Sequence, residues 1–378
     1  MKKILITGGA GFIGSNLCLK LVEKGYHVTV LDNLLEQIHG NDPENTSPLY
    51  QSLKEKVNFI QGSVTDRSIL KEALQGKEII VHLAAETGTG QSMYEIERYT
   101  KINIGGTALL LDILTNTSHH VKKVIIASSR AIYGEGKYKC KELGFVYPEC
   151  RSATAMKEKD FEVHYAGCSS ALEVLPTDEE SKIHPSSVYG ISKQVQEQLV
   201  MTITKSLGIA GVAFRYQNVY GPGQSLHNPY TGILSIFSTR IKNGNPINIF
   251  EDGKESRDFV YIDDVVNATL LGIENEKANG NVYNVGTGTP VTVTKVVELL
   301  THYFDTKVTV EITGNFRIGD IRHNFADITK IKKHLGFKPE ITFEEGIERF
   351  VKWVKNQAAP SDNYEQSLSE MKEKGLLK

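Results

Sequence analysis

A short apolar run that leads directly into a glycine-rich turn is the feature that most narrows the folds open to this chain. Residues 3–7 begin with Lys3 and continue as Ile-Leu-Ile-Thr, and residues 8–14 read Gly-Gly-Ala-Gly-Phe-Ile-Gly. Glycines at these intervals allow a tight turn, close approach of a ligand to the backbone, and packing of a helix on the strand. The pattern predicts a strand, a phosphate-binding turn and a helix over about 12–24.

Strand-like and helix-like segments then alternate through the first half of the chain. Apolar runs typical of buried strands occur at 28–31, 57–61, 79–83, 124–128 and 211–215. Helical patterns lie between them, for example over 104–114 and 189–207. Such alternation predicts an α/β protein with a Rossmann-type, doubly wound parallel sheet covered on both faces.

An acidic residue at the end of the second predicted strand sharpens the interpretation of the glycine turn. Asp32 lies 18 residues after Gly14, where a carboxylate would accept hydrogen bonds from the hydroxyls of an adenosine ribose. Its charge would repel a 2′-phosphate, which favours NAD over NADP. The alternative is a solvated acid at a strand end. Asp66, after the third strand, could meet the adenine amino group, whereas His82 alone is better explained as a packed histidine.

Tyr189 and Lys193 form a Tyr-x-x-x-Lys pattern on a predicted helix. Residues four apart share one helix face, so the lysine ammonium and a bound nicotinamide would favour the tyrosine phenolate. The resulting base could remove a hydroxyl proton. Ser128 and Ser129 end the fifth predicted strand, where a serine hydroxyl could hold a reacting oxygen or could simply terminate the strand.

Composition and charge exclude several classes of function. The 43 Lys and Arg residues nearly balance the 45 Asp and Glu residues, and long runs of one sign are absent, so we expect no nucleic-acid partner. No apolar stretch of the sequence is long enough to span a bilayer, so we expect no membrane partner. The first apolar run is too short for a signal peptide, and the four cysteines are too sparse for a disulfide scaffold. We therefore expect a cytoplasmic protein.

Nine segments in one order over nearly the whole chain carry a family resemblance. They are TGGAGFIG (7–14), LDN (31–33), HLAA (82–85), KINIGGT (101–107), SSRAIYG (128–134), YGISK (189–193), RYQNVYGPG (215–223), RDFVYIDD (257–264) and YNVGTG (283–288). With these segments the chain resembles the extended short-chain dehydrogenases/reductases, which include NAD-dependent nucleotide-sugar epimerases and dehydratases.

The resemblance implies roles for residues at the matching positions. It implies a catalytic trio of Ser129, Tyr189 and Lys193. It implies NAD contacts at Gly8, Gly11, Phe12, Ile13, Gly14, Asp32, Asn33, Ser63, Val64, Asp66, Leu83, Ala84, Ala85, Asn103, Tyr189 and Lys193. It implies contacts to a nucleotide-sugar substrate at Thr87, Ser129, Arg130, Asn218, Arg257 and Arg322, with the last three on the nucleotide diphosphate, where an arginine fork suits phosphate oxygens.

The residues after Ser129 favour one reaction within the family. Dehydratases of this family carry an Asp-Glu pair there for water elimination, whereas this chain has Arg130 and Ala131. A reductase would more often use NADPH, which Asp32 disfavours. Epimerisation at C4 through a transient 4-keto sugar needs only the residues present. A UDP-hexose or UDP-glucuronate, net oxidation, and an NAD-sensing protein without turnover are alternatives, although such sensors typically lose the catalytic tyrosine.

A finer resemblance lies in SSRAIYGEG, in the long insert and in RYQNVYGPGQSLHNPYTGILSIFS, which are similar to those of epimerases that convert dTDP-L-rhamnose to dTDP-6-deoxy-L-talose. The resemblance also implies a homodimer in which the helix after Asn103 and the Tyr189 helix pack across a two-fold axis.

The predicted organisation has two main parts. Residues 1–215 form the NAD-binding Rossmann domain, with an insert at 135–177 and a return of the chain at 258–285. Residues 216–357, rich in turn signals, form mainly the substrate-binding domain, and the polar residues 358–378 form a loose tail. The insert contains Cys140, Cys150, His164 and Cys168, so a small zinc-bound knuckle is one interpretation. Paired C-x-x-C spacing is absent, and we therefore expect no bound metal and favour a surface excursion or lid.

Overall fold

A computed structural model describes residues 2–230, 232–358 and 361–378. The strands are β1 Lys3–Thr7, β2 His27–Asp32, β3 Asn58–Gln61, β4 Ile79–His82, β5 Lys123–Ser129, β6 Tyr138–Cys140, β7 Gly144–Val146, β8 Glu173–Val174, β9 Ala210–Tyr216, β10 Asn218–Tyr220, β11 Ile247–Ile249, β12 Ser256–Tyr261, β13 Asn281–Val285, β14 Pro290–Thr292, β15 Val310–Ile312 and β16 His323–Asn324.

The α-helices are α1 Phe12–Glu23, α2 Glu36–His39, α3 Pro43–Thr46, α4 Pro48–Leu53, α5 Arg67–Leu74, α6 Thr89–Ser92, α7 Ile96–Tyr99, α8 Gly106–Asn116, α9 Ala153–Lys157, α10 Val188–Ser206, α11 Ile233–Lys242, α12 Ile262–Glu274, α13 Val293–Phe304, α14 Thr329–Leu335, α15 Phe343–Lys355 and α16 Tyr364–Glu373. A π-helical turn at Thr100–Gly105 leads into α8, and two 3₁₀ turns lie at Arg130–Tyr133 and Glu276–Ala278.

The largest element is a seven-stranded sheet in the order β13-β9-β5-β4-β1-β2-β3, and every neighbouring pair in it is parallel. Alternate side chains of each strand point to opposite faces. Ile4 and Ile6 accordingly belong to one buried cluster, and Leu5 belongs to the other. Helices cover both faces, so the predicted Rossmann-type sheet is confirmed.

The substrate side of the molecule is built from smaller sheets. Strands β10, β12 and β14 pair in that order with β16 beside β12, and β11 pairs with β15. Between β12 and β14 the chain returns to the large sheet, because β13 pairs with β9. The boundaries 1–215 and 216–357 drawn from the sequence stay a prediction.

The insert at 135–177 contains its own three-stranded antiparallel sheet, in the order β7-β6-β8. Cys140 and Cys168 are joined as a disulfide that closes this small unit, while Cys150 is free and exposed. No motif predicts this pairing, because the two cysteines are 28 residues apart in an irregular segment.

The last residues of the chain are folded, so the prediction of a loose tail over 358–378 is wrong for most of that range. Helix α16 buries Tyr364, Leu368 and Met371 together with Leu377. These few apolar side chains find partners in distant parts of the chain, which compensates for the polar composition. Within the described residues, no helix is both long and apolar enough to cross a membrane.

Candidate active site

The glycine-rich turn lies between β1 and α1, at the carboxyl edge of the large sheet. Gly8 has a positive φ of 69°, and a Cβ there would come within 2.7 Å of the backbone nitrogen of Ala84. A Cβ at Gly14 would lie 2.3 Å from the carbonyl oxygen of Gly8. Only glycine therefore fits at these two positions. Gly11, the N-cap of α1, has no side chain to cover the positive end of the helix, which suits a phosphate.

Asp32 ends β2 beside this turn and is 8% exposed. Its Oδ2 accepts a hydrogen bond from the backbone of Ala10 at 2.9 Å, and its Oδ1 accepts one from Leu34 at 2.9 Å. Burial raises the pKa of Asp32, and the backbone donors and His39 act in the opposite direction. The carboxylate thus holds the glycine turn while remaining on the wall of the cleft.

One cleft of about 470 Å³ runs from the glycine turn to the substrate-side strands. Most residues assigned to NAD from the sequence line it: Gly8, Gly11, Phe12, Ile13, Gly14, Asp32, Asn33, Ser63, Val64, Leu83, Ala84, Ala85, Tyr189 and Lys193. Thr87, Ser129, Arg130 and Asn218 line it too. The glycine cradle, the uncovered helix end and the carboxylate at the end of β2 together fit a dinucleotide.

Two of the predicted NAD residues have structural partners instead of lying on this wall. Asp66 is the N-cap of α5, where its Oδ1 accepts from the backbones of Ser68 and Ile69. Asn103 is fully buried in the π-helical turn; its side chain bonds both backbone polar groups of Glu86 and donates to Ser192 at 2.9 Å. Asn103 thereby ties the segment after β4 to the catalytic helix, and direct NAD contacts for both residues stay predictions.

Tyr189 and Lys193 lie in the first turns of α10, which Ser187 caps. The Nζ of Lys193 donates to the carbonyl of Ala127 at 2.9 Å and lies 6.0 Å from the centre of the Tyr189 ring. The backbone nitrogen of Tyr189 donates to Ser92 Oγ at 3.0 Å. The Tyr-x-x-x-Lys pair is therefore fixed to strand β5 and to the loop after β4.

Burial strongly affects the titration of this pair. Burial raises the pKa of Tyr189, while a hydrogen bond with Ser129 and the charge of Arg130 lower it. Burial lowers the pKa of Lys193 to about 7. Burial and the neighbouring Lys193 also lower the pKa of His82 to about 3, and the imidazole bonds the hydroxyl of Thr7 at 2.6 Å. This agrees with a packed, neutral histidine.

Ser129 and Arg130 stand where β5 ends, facing the tyrosine. The Oγ of Ser129 accepts from the backbone of Ala131 at 3.1 Å. The Nε of Arg130 donates to Asn218 Oδ1 at 3.1 Å, which joins the end of β5 to the start of β10. Burial and the charge of Arg257 lower the pKa of Arg130 to about 10, so the guanidinium stays protonated at neutral pH.

The sequence-based role of Arg322 as a diphosphate ligand is wrong. Its side chain is fully buried, and its guanidinium donates to Glu251, Asp252 and Glu162, with distances between 2.6 and 3.1 Å. Because each guanidinium nitrogen already bonds a carboxylate, Arg322 has no donor left for a phosphate. It acts instead as the centre of a buried ionic network that reaches into the insert.

Arg257 is also engaged with the protein. Its Nη1 donates to the carbonyls of Ser256 and Arg322, and its Nη2 donates to the carbonyl of Ile321 at 2.6 Å and to Asp320 at 3.2 Å. These bonds hold its charge near enough to Arg130 to lower the pKa of that guanidinium. A contact between Arg257 and the substrate stays a prediction.

Several cleft residues escaped the sequence analysis. His39 lines the cofactor end, where it bonds Ser47 at 2.7 Å, and Tyr230 lines the substrate end. The motif RYQNVYGPGQSLHNPYTGILSIFS contains Tyr230, so its position was visible even though its role was not. His39 had only its distance of seven residues from Asp32 as a signal.

The geometry defines a class of enzyme: a dinucleotide cleft that is also lined by Ser129, Tyr189 and Lys193, groups suited to moving a proton while hydride passes to or from a nicotinamide. Comparison with known proteins agrees. The family described as the NAD dependent epimerase/dehydratase family matches residues 4–286. The chain belongs to this family.

Similar proteins include the dTDP-L-rhamnose 4-epimerase of Burkholderia thailandensis, 34% identical over 93% of this chain and 95% of that protein. A putative UDP-glucose 4-epimerase of Methanocaldococcus jannaschii is 33% identical over 93% of this chain and 98% of that protein. The solved UDP-glucose 4-epimerase of Thermotoga maritima, with UDP-glucose, is 33% identical with a TM-score of 0.74, over 93% of this chain and 98% of that one.

Proposed function

We propose that this protein is an NAD-dependent 4-epimerase of nucleotide sugars and that its substrate is dTDP-L-rhamnose, with dTDP-6-deoxy-L-talose as product. The observation that carries the reaction class is the placement of Ser129, Tyr189 and Lys193 in the cleft that begins at the glycine turn. Bound NAD supplies a group that takes up hydride from C4 of the sugar and can return it.

The side chains of the protein perform the accompanying proton transfer. Tyr189 removes the proton of the sugar 4-hydroxyl and returns it after the 4-keto sugar has turned over in the cleft. Ser129, which bonds Tyr189, holds the 4-oxygen. The ammonium of Lys193 stabilises the phenolate, and its bond to Ala127 fixes it against β5.

The residues that follow Ser129 also disfavour a dehydration reaction. Water elimination needs a carboxyl acid and base next to the reacting carbons, and the two positions after Ser129 hold Arg130 and Ala131. Arg130 brings a partly buried positive charge to the same part of the cleft. We assign Arg130, with Asn218, to binding the substrate, together with Thr87 on the opposite wall.

The choice of sugar rests on the similarity to the Burkholderia thailandensis enzyme and on the motifs around Arg130 and Tyr230. Relatives named UDP-glucuronate 4-epimerase, among them one of Thermodesulfobacterium geofontis at 31% identity, support a UDP-sugar as the second candidate. Purified protein should be incubated with dTDP-L-rhamnose without added cofactor, and the sugar H4 signals followed by proton NMR. A new C4 epimer at equilibrium is expected; no change, even with NAD supplied, would reject this sugar, and UDP-glucose and UDP-glucuronate would be tested next.

We also propose that two copies associate through α10 and the helices around Asn103. Large apolar side chains are exposed on these elements, with Ile96 of α7 at 52% and Ile191 of α10 at 47%. Sedimentation should give the mass of a dimer, and Ile191→Glu should shift it toward the monomer. Location in the cytoplasm stays a prediction from the sequence.

A further inference from the structure

Helix α16 crosses the junction between the cofactor side and the substrate side of the cleft. Its buried residues Tyr364, Leu368 and Met371 pack with Tyr94, which follows β4, and with Ile236 of α11. The segment after β4 lines the cleft through Thr87 and Gly88, and helix α11 lines it through Ile233 and Leu234, so these two segments form two walls of the cleft. The C-terminal helix therefore contacts both walls at once.

Glu370 makes the polar part of this connection. Its Oε2 accepts a hydrogen bond from the hydroxyl of Tyr94 at 3.3 Å and another from the hydroxyl of Tyr230. Tyr230 lines the cleft just before α11, whereas Tyr94 follows the lining residues Thr87 and Gly88 on the segment after β4. One half-buried carboxylate thus joins a tyrosine from each wall.

The residues just before Tyr94 also contact the helix that carries the catalytic base. Gly90 lies against Met371, because a Cβ at Gly90 would be 3.3 Å from the Met371 sulfur. Two residues later, Ser92 accepts the backbone N–H of Tyr189 at 3.0 Å. The same short stretch that α16 holds therefore holds the first turn of the catalytic helix.

The ends of the C-terminal segment are anchored on the substrate side. Phe316 and Lys378 exchange backbone hydrogen bonds at 3.0 Å, and the N–H of Ile318 donates to Leu376 at 2.9 Å. Near the start of α16, Arg240 of α11 donates to Glu365 at 2.7 Å. These bonds leave Glu370 in a fixed position over the junction.

We propose that Glu370 is a positioning residue that holds Tyr230 against the bound nucleotide sugar and keeps the two walls at the separation that the sugar requires. The inference rests on the proposed 4-epimerase function and adds the C-terminal segment to the substrate site. Glu370 itself need not touch the reacting atoms, because it acts through Tyr230 and Tyr94. Its removal should therefore weaken substrate binding more than it slows the chemical step.

The test is Glu370→Gln in the full-length holoenzyme, with Glu373→Gln as the matched control. Glu373 is exposed on the same helix and carries the same charge. Loss of a charge-assisted hydrogen bond of this kind should raise the KM for dTDP-L-rhamnose by about tenfold. The amount of bound NAD and the value of kcat should each change by less than about twofold. An unchanged KM, or equal changes in both variants, would overturn the proposal.

A double-mutant cycle separates positioning from loss of structure. If Glu370 acts through the tyrosine, Glu370→Gln should have little further effect on KM in a Tyr230→Phe background. Additive effects, or a loss of bound NAD and a lower Tm that accompany the rise in KM, would show a merely structural role and refute the inference.

Binding measurements keep this test distinct from the proposed function. Calorimetric titration of Tyr189→Phe holoenzyme with dTDP-L-rhamnose, UDP-glucose and dTDP needs no turnover. Weaker binding of a nucleotide sugar in Glu370→Gln, with dTDP affected less, supports the positioning role even if wild-type protein epimerises neither sugar. Equal binding in the presence and absence of the substitution rejects that role, whatever the enzyme assay shows.

Discussion

The cofactor side and the substrate side of the cleft differ in the groups that form them: backbone atoms on the first and charged side chains on the second. Around the glycine turn the ligand surface is backbone: Gly8 and Gly14 exclude any Cβ, and the end of α1 supplies the dipole. Beyond the cleft the structure is made of charged side chains, with Arg322 enclosed by carboxylates from two distant segments, Glu162 of the insert and the adjacent pair Glu251 and Asp252.

Because of this difference, the two sides should be sensitive to different kinds of substitution. A backbone-built site is disrupted by added volume, since the pyrophosphate must approach the main chain closely. A charge-built site is disrupted by loss of one partner, because the remaining buried charges lose their compensation. The catalytic trio lies where these two regions meet. Substitutions in the trio should therefore act neither by blocking the main chain nor by leaving a buried charge without its partner.

The largest effect should come from Tyr189→Phe at that meeting point. Loss of a general base lowers turnover by about 10³-fold. Bound NAD should stay nearly unchanged, because the glycine turn and Asp32 are untouched. Turnover can be measured by NMR and NAD by release on denaturation; turnover like that of the wild type would disprove the mechanism.

Arg322→Met tests the charge-built side. Removal of this buried arginine takes one partner from Glu251, which keeps Arg151, and the closest cation from Asp252, and should lower the free energy of unfolding by about 3 kcal/mol. Arg67→Met is the control, because the Arg67–Asp112 pair is exposed and should be worth about 1 kcal/mol or less. Urea denaturation measures both. Equal losses in the two variants would mean that the buried network contributes no more than a surface pair.

Gly14→Ala tests the backbone-built side. The added methyl would meet the carbonyl oxygen of Gly8 at 2.3 Å, so the turn must move and NAD affinity should fall by about 10- to 100-fold. Gly105→Ala is the control, since its Cβ would lie 3.9 Å from its nearest neighbour. Titration of NAD into the apoprotein measures the effect, and unaltered affinity in Gly14→Ala would remove the steric argument.

A smaller effect should appear in the pH dependence of stability, with opposite signs on the two sides. Burial raises the pKa of Glu135, in the insert, from 4.5 to about 7. The folded state then holds more protons than the unfolded state between these values, so unfolding free energy falls as pH rises from 4.5 to 7. Burial lowers the pKa of Lys193 from 10.5 to about 7, so stability rises from pH 7 to 10.5.

Single variants assign each slope to its group. Glu135→Gln should flatten the fall below pH 7, and Lys193→Met should flatten the rise above it, in denaturation of NAD-free protein. A slope that persists unchanged in its variant would assign that part of the pH dependence to other groups.

The sequence predicted the cofactor side well because its signals are local. The glycine spacing, Asp32 and the Tyr189–Lys193 pair each lie within one strand, turn or helix, and the predicted parallel sheet and family are confirmed. Most of the proposed NAD residues line one cleft, although their individual roles stay predictions.

The substrate side was less accessible because its contacts join distant segments. The resemblance predicts Arg322 as a phosphate ligand. Its actual partners Glu162, Glu251 and Asp252 could not be foreseen, because no sequence pattern relates them to Arg322. In α16 a weak helical spacing was present at Tyr364, Leu368 and Met371. Its importance depends on Tyr94, Ile236 and Phe250, which only the fold brings to it.

The position of β13 has a consequence for the order of events during synthesis. This seventh strand of the large sheet comes from Asn281–Val285, far beyond the six strands that precede it. While the ribosome adds the intervening segment, the outer edge of β9 remains without its parallel neighbour, and such an edge can pair with another chain. The nascent protein therefore cannot complete its large sheet until residues 281–285 have emerged, and chaperone protection should matter most during that interval.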